Sequence, residues 1–196
     1  MMAMADAGFV FLAMPKAGST ALERHFSKHA QILFRRPPGM KHMSAATFES
    51  VMAPWLERFG LARSSYETVC LARHPVDRAV SWWRYRSRPG TAAEKSTGDL
   101  PFPVFAERLV SGEVPLGTAW NFVTSVDSTT VLVDRVYRYE HLADAADWMA
   151  ERLGVPAPQL DRANVSPARD VDVDPGVRAM LEDHYADDVR LYESAR

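Results

Sequence analysis

The chain has 196 residues, a formal net charge of −2 and a single cysteine, which is the size of one domain, residues 1–196, able to bury roughly 70% of its unfolded surface. The near-neutral charge argues against a general nucleic-acid or polyanion binder. Cys70, inside the apolar run Val69-Cys70-Leu71-Ala72, has no second cysteine to pair with and reads as a small core residue. Met1 to Gly8 carries no basic residue, and the apolar stretch after it is far shorter than the roughly 20 residues that span a bilayer. A cytoplasmic protein without membrane association is expected.

Apolar runs alternate with segments of helical period, which predicts an α/β fold with three layers: a mainly parallel central sheet flanked by helices. The first strand is predicted over Phe9 to Met14, followed by a helix to about His29. Ile32 to Phe34 is a short strand candidate. A helix from about Ala45 to Phe59 carries Phe48, Val51, Met52, Trp55, Leu56 and Phe59 at helical spacing, a stripe expected in the core. Tyr66 to Ala72 reads as a strand. The next helix begins near Pro75, since proline suits a first helical turn, and runs to about Ser87. From Arg88 to Leu100 the chain is polar and aperiodic, the composition of a mobile flap. Thr130 to Val133 and Val136 to Tyr139 are strand candidates. Helices are predicted over Leu142 to Leu153 and Pro175 to Glu193, and no internal repeat is visible.

Two strand ends carry chemistry. The run Phe9-Val-Phe-Leu-Ala-Met-Pro-Lys-Ala-Gly-Ser-Thr20 stops being apolar at Pro15 and enters a helix at Ser19 or Thr20. Such a turn aims backbone N–H groups and a helix N-terminus at one point, where an anion belongs. Lys16 adds a mobile charge, and Gly18 lets the backbone approach the ligand. A Walker loop, G-x-x-x-x-G-K-S/T, has its lysine after the last glycine; the lysine precedes the glycine in this loop, which is also shorter and suits one phosphate with a group attached. The second strand end is Leu71-Ala72-Arg73-His74-Pro75-Val76-Asp77-Arg78-Ala79-Val80-Ser81. Ligands of open α/β sheets bind outside the strands' carboxyl ends, so Arg73 and Lys16 are expected to face one crevice, with the Arg73 fork and the Ser81 hydroxyl on a second phosphate.

The two segments together resemble the sulfotransferases that use 3′-phosphoadenosine 5′-phosphosulfate. Pro15-Lys16-Ala17-Gly18-Ser19-Thr20 fits that family's P-K-x-G-S/T-T loop, and Arg73, Pro75, Arg78 and Ser81 fit its R-x-P-x-x-R-x-x-S element. Tyr139-Glu140-His141-Leu142 is similar to its Y-E-x-L stretch. Asn164-Val165-Ser166-Pro167-Ala168-Arg169 and the closing Tyr185-Ala186-Asp187-Asp188 resemble segments of its compact bacterial members. The resemblance implies a P-loop-NTPase-like sulfotransferase fold. It also implies that Lys16, Ala17, Gly18, Ser19, Thr20 and Ala21 hold the 5′-phosphosulfate, that Arg73 and Ser81 hold the 3′-phosphate, and that Arg169 contacts the nucleotide unless its segment is a plain turn. Glu140 is expected to be structural, while Trp82, Trp83 and Tyr85 belong either to the core or to the acceptor wall.

Sulfuryl transfer needs positive charge on the leaving bridging oxygen, assigned to Lys16, and a base for the acceptor's proton. The family's glycan-modifying members carry K-E where this chain has Lys41-His42. His42, whose ordinary pKa lies near neutrality, is the candidate base; its alternative is a histidine at the edge of the following helix. The reading is a metal-independent sulfotransferase acting on a hydroxyl of a carbohydrate or small natural product. The alternatives are a catalytically silent nucleotide-binding module and a small nucleotide kinase, the latter lacking its expected loop.

Overall fold

The computed structural model describes residues 1–160 and 171–196. Strand β1 (Met2–Met4) passes through a one-turn 3-10 helix into β2 (Phe9–Phe11). Gly8, at φ +73°, makes the reversal and donates its N–H to Ala5 O at 2.9 Å. Strand β3 (Ile32–Leu33) pairs with β1, while β4 (Glu67–Ala72) and β5 (Arg135–Arg138) extend the other side. The order is β3-β1-β2-β4-β5, with β3, β1 and β2 antiparallel and β2, β4 and β5 parallel. The α/β class is therefore as expected, in a mixed sheet whose parallel half carries the two strand ends described above. Phe11 lies opposite Val69 in the register, which makes the segments after β2 and β4 neighbours.

β1 was not anticipated from the sequence, because three apolar residues at a chain start show no period. Of the two strands expected between Thr130 and Tyr139, β5 is one, and Val131 makes only an isolated bridge to Thr124. The cause is Asp134. Its Oδ2 accepts the Thr68 N–H at 2.7 Å, the Thr68 hydroxyl at 2.8 Å and Arg63 Nη2 at 2.8 Å, occupying the donor that a longer ladder needs.

Helix α1 (Ser19–Phe26) follows the first loop and a one-turn helix, α2 (Pro38–Lys41), precedes His42. The segment from Ala45 is helical as α3 (Ala45–Thr47), a π turn over Phe48–Met52 and α4 (Ala53–Glu57). Pro54 lacks the N–H that a continuous α ladder needs there, so the ladder widens upstream. The expected core stripe divides into two rows, each stepping by four residues. Phe48, Met52 and Leu56 are buried, whereas Val51, Trp55 and Phe59 are exposed, with Trp55 and Phe59 packed on each other at 4.8 Å. Only one row meets the sheet, since a stripe that wide exceeds what one packed face covers.

Helix α5 (Pro75–Arg86) follows β4 as expected, and α6 (Phe102–Val110) and α7 (Ala119–Val123) were not anticipated. Helix α8 (Leu142–Leu153) has the expected bounds. The last predicted helix is two, α9 (Pro175–His184) and α10 (Ala186–Ser194), joined at buried Tyr185, whose φ −107° and ψ 35° leave the helical region. Two apolar clusters result. One surrounds the sheet, and the other joins α5, α6 and α9 through Val76, Trp83, Phe105 and Leu181. The segment proposed as a flap is fastened near its end to α5: Thr97 Oγ1 donates to Trp83 O at 2.6 Å, and Trp83 Nε1 donates to Leu100 O at 2.7 Å.

Candidate active site

The chain leaves β2 through Leu12, whose N–H still bonds Val69 O at 2.8 Å, and turns at Pro15. Lys16 sits at φ +66° and Gly18 at φ +80°, two left-handed residues that fold the turn back on itself. For lysine this conformation costs of order 1–3 kcal/mol. Gly18 ends at the start of α1 with no side chain capping that helix, so its first N–H groups stay available to a ligand. Ser19 and Thr20 border the cavity, whereas the Ala17 and Ala21 side chains are buried in the interior. Ala17 thus has only backbone to offer an anion, and Ala21, expected to help hold the phosphosulfate, does not, because its N–H donates to Gly18 O at 3.0 Å.

The cavity measures about 540 Å³ and lies at the carboxyl ends of β2 and β4. Lys16, Lys41, His42, Arg73 and Ser81 all border it, joined by Trp82, Tyr85, Arg88 and Tyr139. Segments separated by as many as 124 positions, from Pro15 to Tyr139, meet in it, and no aspartate or glutamate is among its described lining residues. Three of its cations rest on aromatic rings: Lys16 Nζ is 4.2 Å and Arg88 Cζ 4.9 Å from the Tyr85 ring centre, and Arg73 Cζ is 4.5 Å from that of Tyr139. A ring face positions a cation without neutralising it. Burial, with Arg88 and Arg73 adding repulsion, lowers the Lys16 amine from 10.5 to about 8.

Arg73 Nε is buried with no hydrogen-bond partner among the described residues, a cost that a bound anion removes. The ring beneath Arg73 also closes the first loop. A Cβ on Gly18 would lie 2.6 Å from Tyr139 Cε2, so Tyr139 packs on the glycine that the turn requires. Its neighbour Glu140 accepts from the Tyr192 hydroxyl at 2.9 Å and is held by structure.

His42 follows α2 with its Nδ1 2.7 Å from Ala13 O. A carbonyl only accepts, so Nδ1 carries the proton and Nε2 is left as the basic nitrogen. Burial lowers the His42 pKa below the ordinary 6.5, the bond to Ala13 opposing it and Lys41 adding to it. The imidazole is therefore neutral at pH 7. Beside it, Lys41 Nζ lies 3.0 Å from Glu23 Oε2 on α1. His74 turns from the cleft toward Glu182, 3.7 Å away, and Tyr192.

Of the aromatic residues left open between core and wall, Trp83 is core, and Trp82 and Tyr85 are wall, stacked with centroids 5.5 Å apart and an interplanar angle of 3°. Arg169, with Asn164 and Ser166, lies outside the described residues. Sequence reasoning missed Arg88 and the Glu23–Lys41 pair, and it quoted Tyr139 only as part of a pattern. The recurring aromatic and basic residues of Trp82 to Arg88 were the available signal. Among the described residues no group of three or more His, Cys, Asp and Glu could hold a metal ion, and no helix is long and apolar enough to cross a membrane.

A mixed α/β sheet with a lysine-glycine turn after one strand and a half-buried arginine after its parallel neighbour makes a cation-lined cleft whose chemistry suits an anionic ligand. The sequence signature of the sulfotransferase family matches residues 1–193, and the chain belongs to that family. It is accordingly an enzyme of sulfuryl transfer. No curated protein matches it. Among solved structures it is similar to a sulfotransferase from Alicyclobacillus acidocaldarius, at 16% identity over 95% of this chain and 94% of that one, with a TM-score of 0.49.

Proposed function

We propose that the protein transfers a sulfuryl group from 3′-phosphoadenosine 5′-phosphosulfate to a hydroxyl of a carbohydrate or small natural product, without a metal. One observation carries the reading: Lys16, His42 and Arg73, far apart in sequence, border a single cavity whose described lining holds four Lys and Arg residues and no carboxylate. The site fits the donor. Backbone N–H groups of Lys16 to Thr20 suit the 5′-phosphosulfate, the Ala21 N–H being held by Gly18 O at 3.0 Å, and Ser81 and Arg73, whose buried Nε has no partner among the described residues, suit the 3′-phosphate. The donor supplies an activated sulfuryl group. His42 Nε2 takes the proton of the acceptor hydroxyl, its tautomer fixed by Ala13 O. The acceptor oxygen forms its bond to sulfur as the bond from sulfur to the bridging oxygen breaks, and Lys16 meets the negative charge left on that oxygen.

A panel of hydroxyl-bearing sugars and natural products incubated with donor labelled in its sulfate, with and without chelator, tests the proposal. Transfer that survives chelation supports it. Tight binding of adenosine 3′,5′-bisphosphate with no transfer to any acceptor points instead to a silent binding module, and magnesium-dependent phosphate transfer to a kinase.

A further inference from the structure

The cleft holds its two lysines in different ways. A half-buried lysine is ordinarily steadied by a carboxylate, as Lys41 is by Glu23 at 3.0 Å. Lys16 instead projects from a left-handed backbone position onto the face of Tyr85, its amine 4.2 Å from the ring centre. The same ring carries Arg88 at 4.9 Å and stacks on Trp82. A carboxylate at that place would compete with an incoming phosphosulfate for the amine, whereas a ring quadrupole attracts the charge weakly and releases it to a stronger anion.

We infer that Tyr85 is a positioning residue that stores the Lys16 ammonium on its ring face in the donor-free protein and gives it up to the donor's phosphosulfate. The inference rests on the donor reading above. Charge around the amine comes from Arg88 and Arg73, with Lys41 and His42 across the cleft and the rings of Tyr85 and Tyr139 beside it. Burial first, and then both guanidinium groups, disfavour the ammonium and lower its pKa to about 8, so the ring supplies the compensating attraction. Tyr85 is 44% exposed, so substitutions there leave the core intact.

The test follows the Lys16 side-chain resonances of isotopically labelled free protein as pH rises, identified by their loss in Lys16→Met. Tyr85→Leu removes the quadrupole at similar bulk and lowers the midpoint by about half a unit to one unit, while Tyr85→Phe keeps the ring and the midpoint. Arg88→Gln moves the midpoint upward. In parallel, the high-pH limb of kcat/KM for the donor, which reports groups of the free enzyme, shifts down in Tyr85→Leu, leaving activity above the limb about three- to tenfold lower. An unchanged or raised midpoint in Tyr85→Leu overturns the inference. A lowered midpoint in a protein that transfers no sulfuryl group keeps the ring contact and removes the donor reading instead.

Discussion

Arg78 Nη2 lies 3.4 Å from Asp188 Oδ2, with the two side chains 2% and 1% exposed, so the second arginine of the R-x-P-x-x-R-x-x-S element is tied to the closing Y-x-x-D segment and not to the cleft. The same Nη2 donates to Gly117 O, and Asp188 accepts the N–H groups of Ala119 and Trp120, each at 2.8 Å, at the start of α7. Tyr185, on the same turn, faces the guanidinium. One carboxylate therefore joins α5, α7 and α10. Asp188→Ala leaves a buried guanidinium without its counter-charge and should lower the unfolding free energy by about 3–5 kcal/mol. Denaturant unfolding measures this. At a temperature where the variant stays folded, its affinity for adenosine 3′,5′-bisphosphate should remain near that of the unmodified protein.

Arg73 gives the opposite pattern. It borders the cavity, and its buried Nε has no partner among the described residues. Hydrogen bonds to charged groups contribute about 1.5–3 kcal/mol, so Arg73→Ala should weaken adenosine 3′,5′-bisphosphate by about ten- to 150-fold. The analogue without a 3′-phosphate should bind almost as before. Calorimetry with both ligands decides; equal losses for the two place Arg73 away from the 3′-phosphate.

Gly18 couples the two halves of the proposed donor site through Tyr139. A methyl group at Gly18 meets Tyr139 Cε2 at 2.6 Å, at a backbone φ of +80° that alanine adopts only with strain. Either the turn or the ring must move, and the ring lies under Arg73. Gly18→Ala should cost about 1–3 kcal/mol of stability and weaken both the bisphosphate and the analogue lacking its 3′-phosphate, unlike Arg73→Ala. Thermal unfolding and the same calorimetric pair distinguish the variants.

The parts of this architecture that could be read from sequence were those fixed by local chemistry. Pro75 at a helix start, the 3.6 period of Leu142–Leu153 and the lysine-glycine turn after an apolar run each specify their structure within a few residues. What escaped was set by partners distant in the chain. Asp134 stops a ladder only because Thr68 stands opposite it, 66 positions away. Val51, Trp55 and Phe59 have the spacing of core residues but stay exposed, with no element among the described residues packed over them. The cleft followed the same rule: its cations were visible as residue types, but the rings that hold them are supplied by α5 and by the residue after β5.

Lys16 and His42 should separate kinetically. Lys16→Ala removes the charge opposed to the leaving oxygen and should lower turnover by about 10²–10³, by analogy with lost oxyanion donors, and weaken donor binding as well. His42→Ala should lower turnover by about 10²–10⁴ with donor affinity nearly intact, since its Nε2 faces the acceptor's proton and not the nucleotide in the proposed reaction. Burial has lowered the His42 pKa below 6.5, so the imidazole stays basic into mildly acidic solution and the acid limb of kcat should lie below pH 6.5. Stability follows the same displacement: as pH falls below 6.5, the unfolded chain takes up a proton that the folded His42 still refuses, and the folded state loses free energy until pH passes the lowered value. Turnover across pH, bisphosphate affinity and unfolding of both variants provide the check. Near-normal turnover in His42→Ala, or an acid limb that survives the substitution, moves the base to another residue.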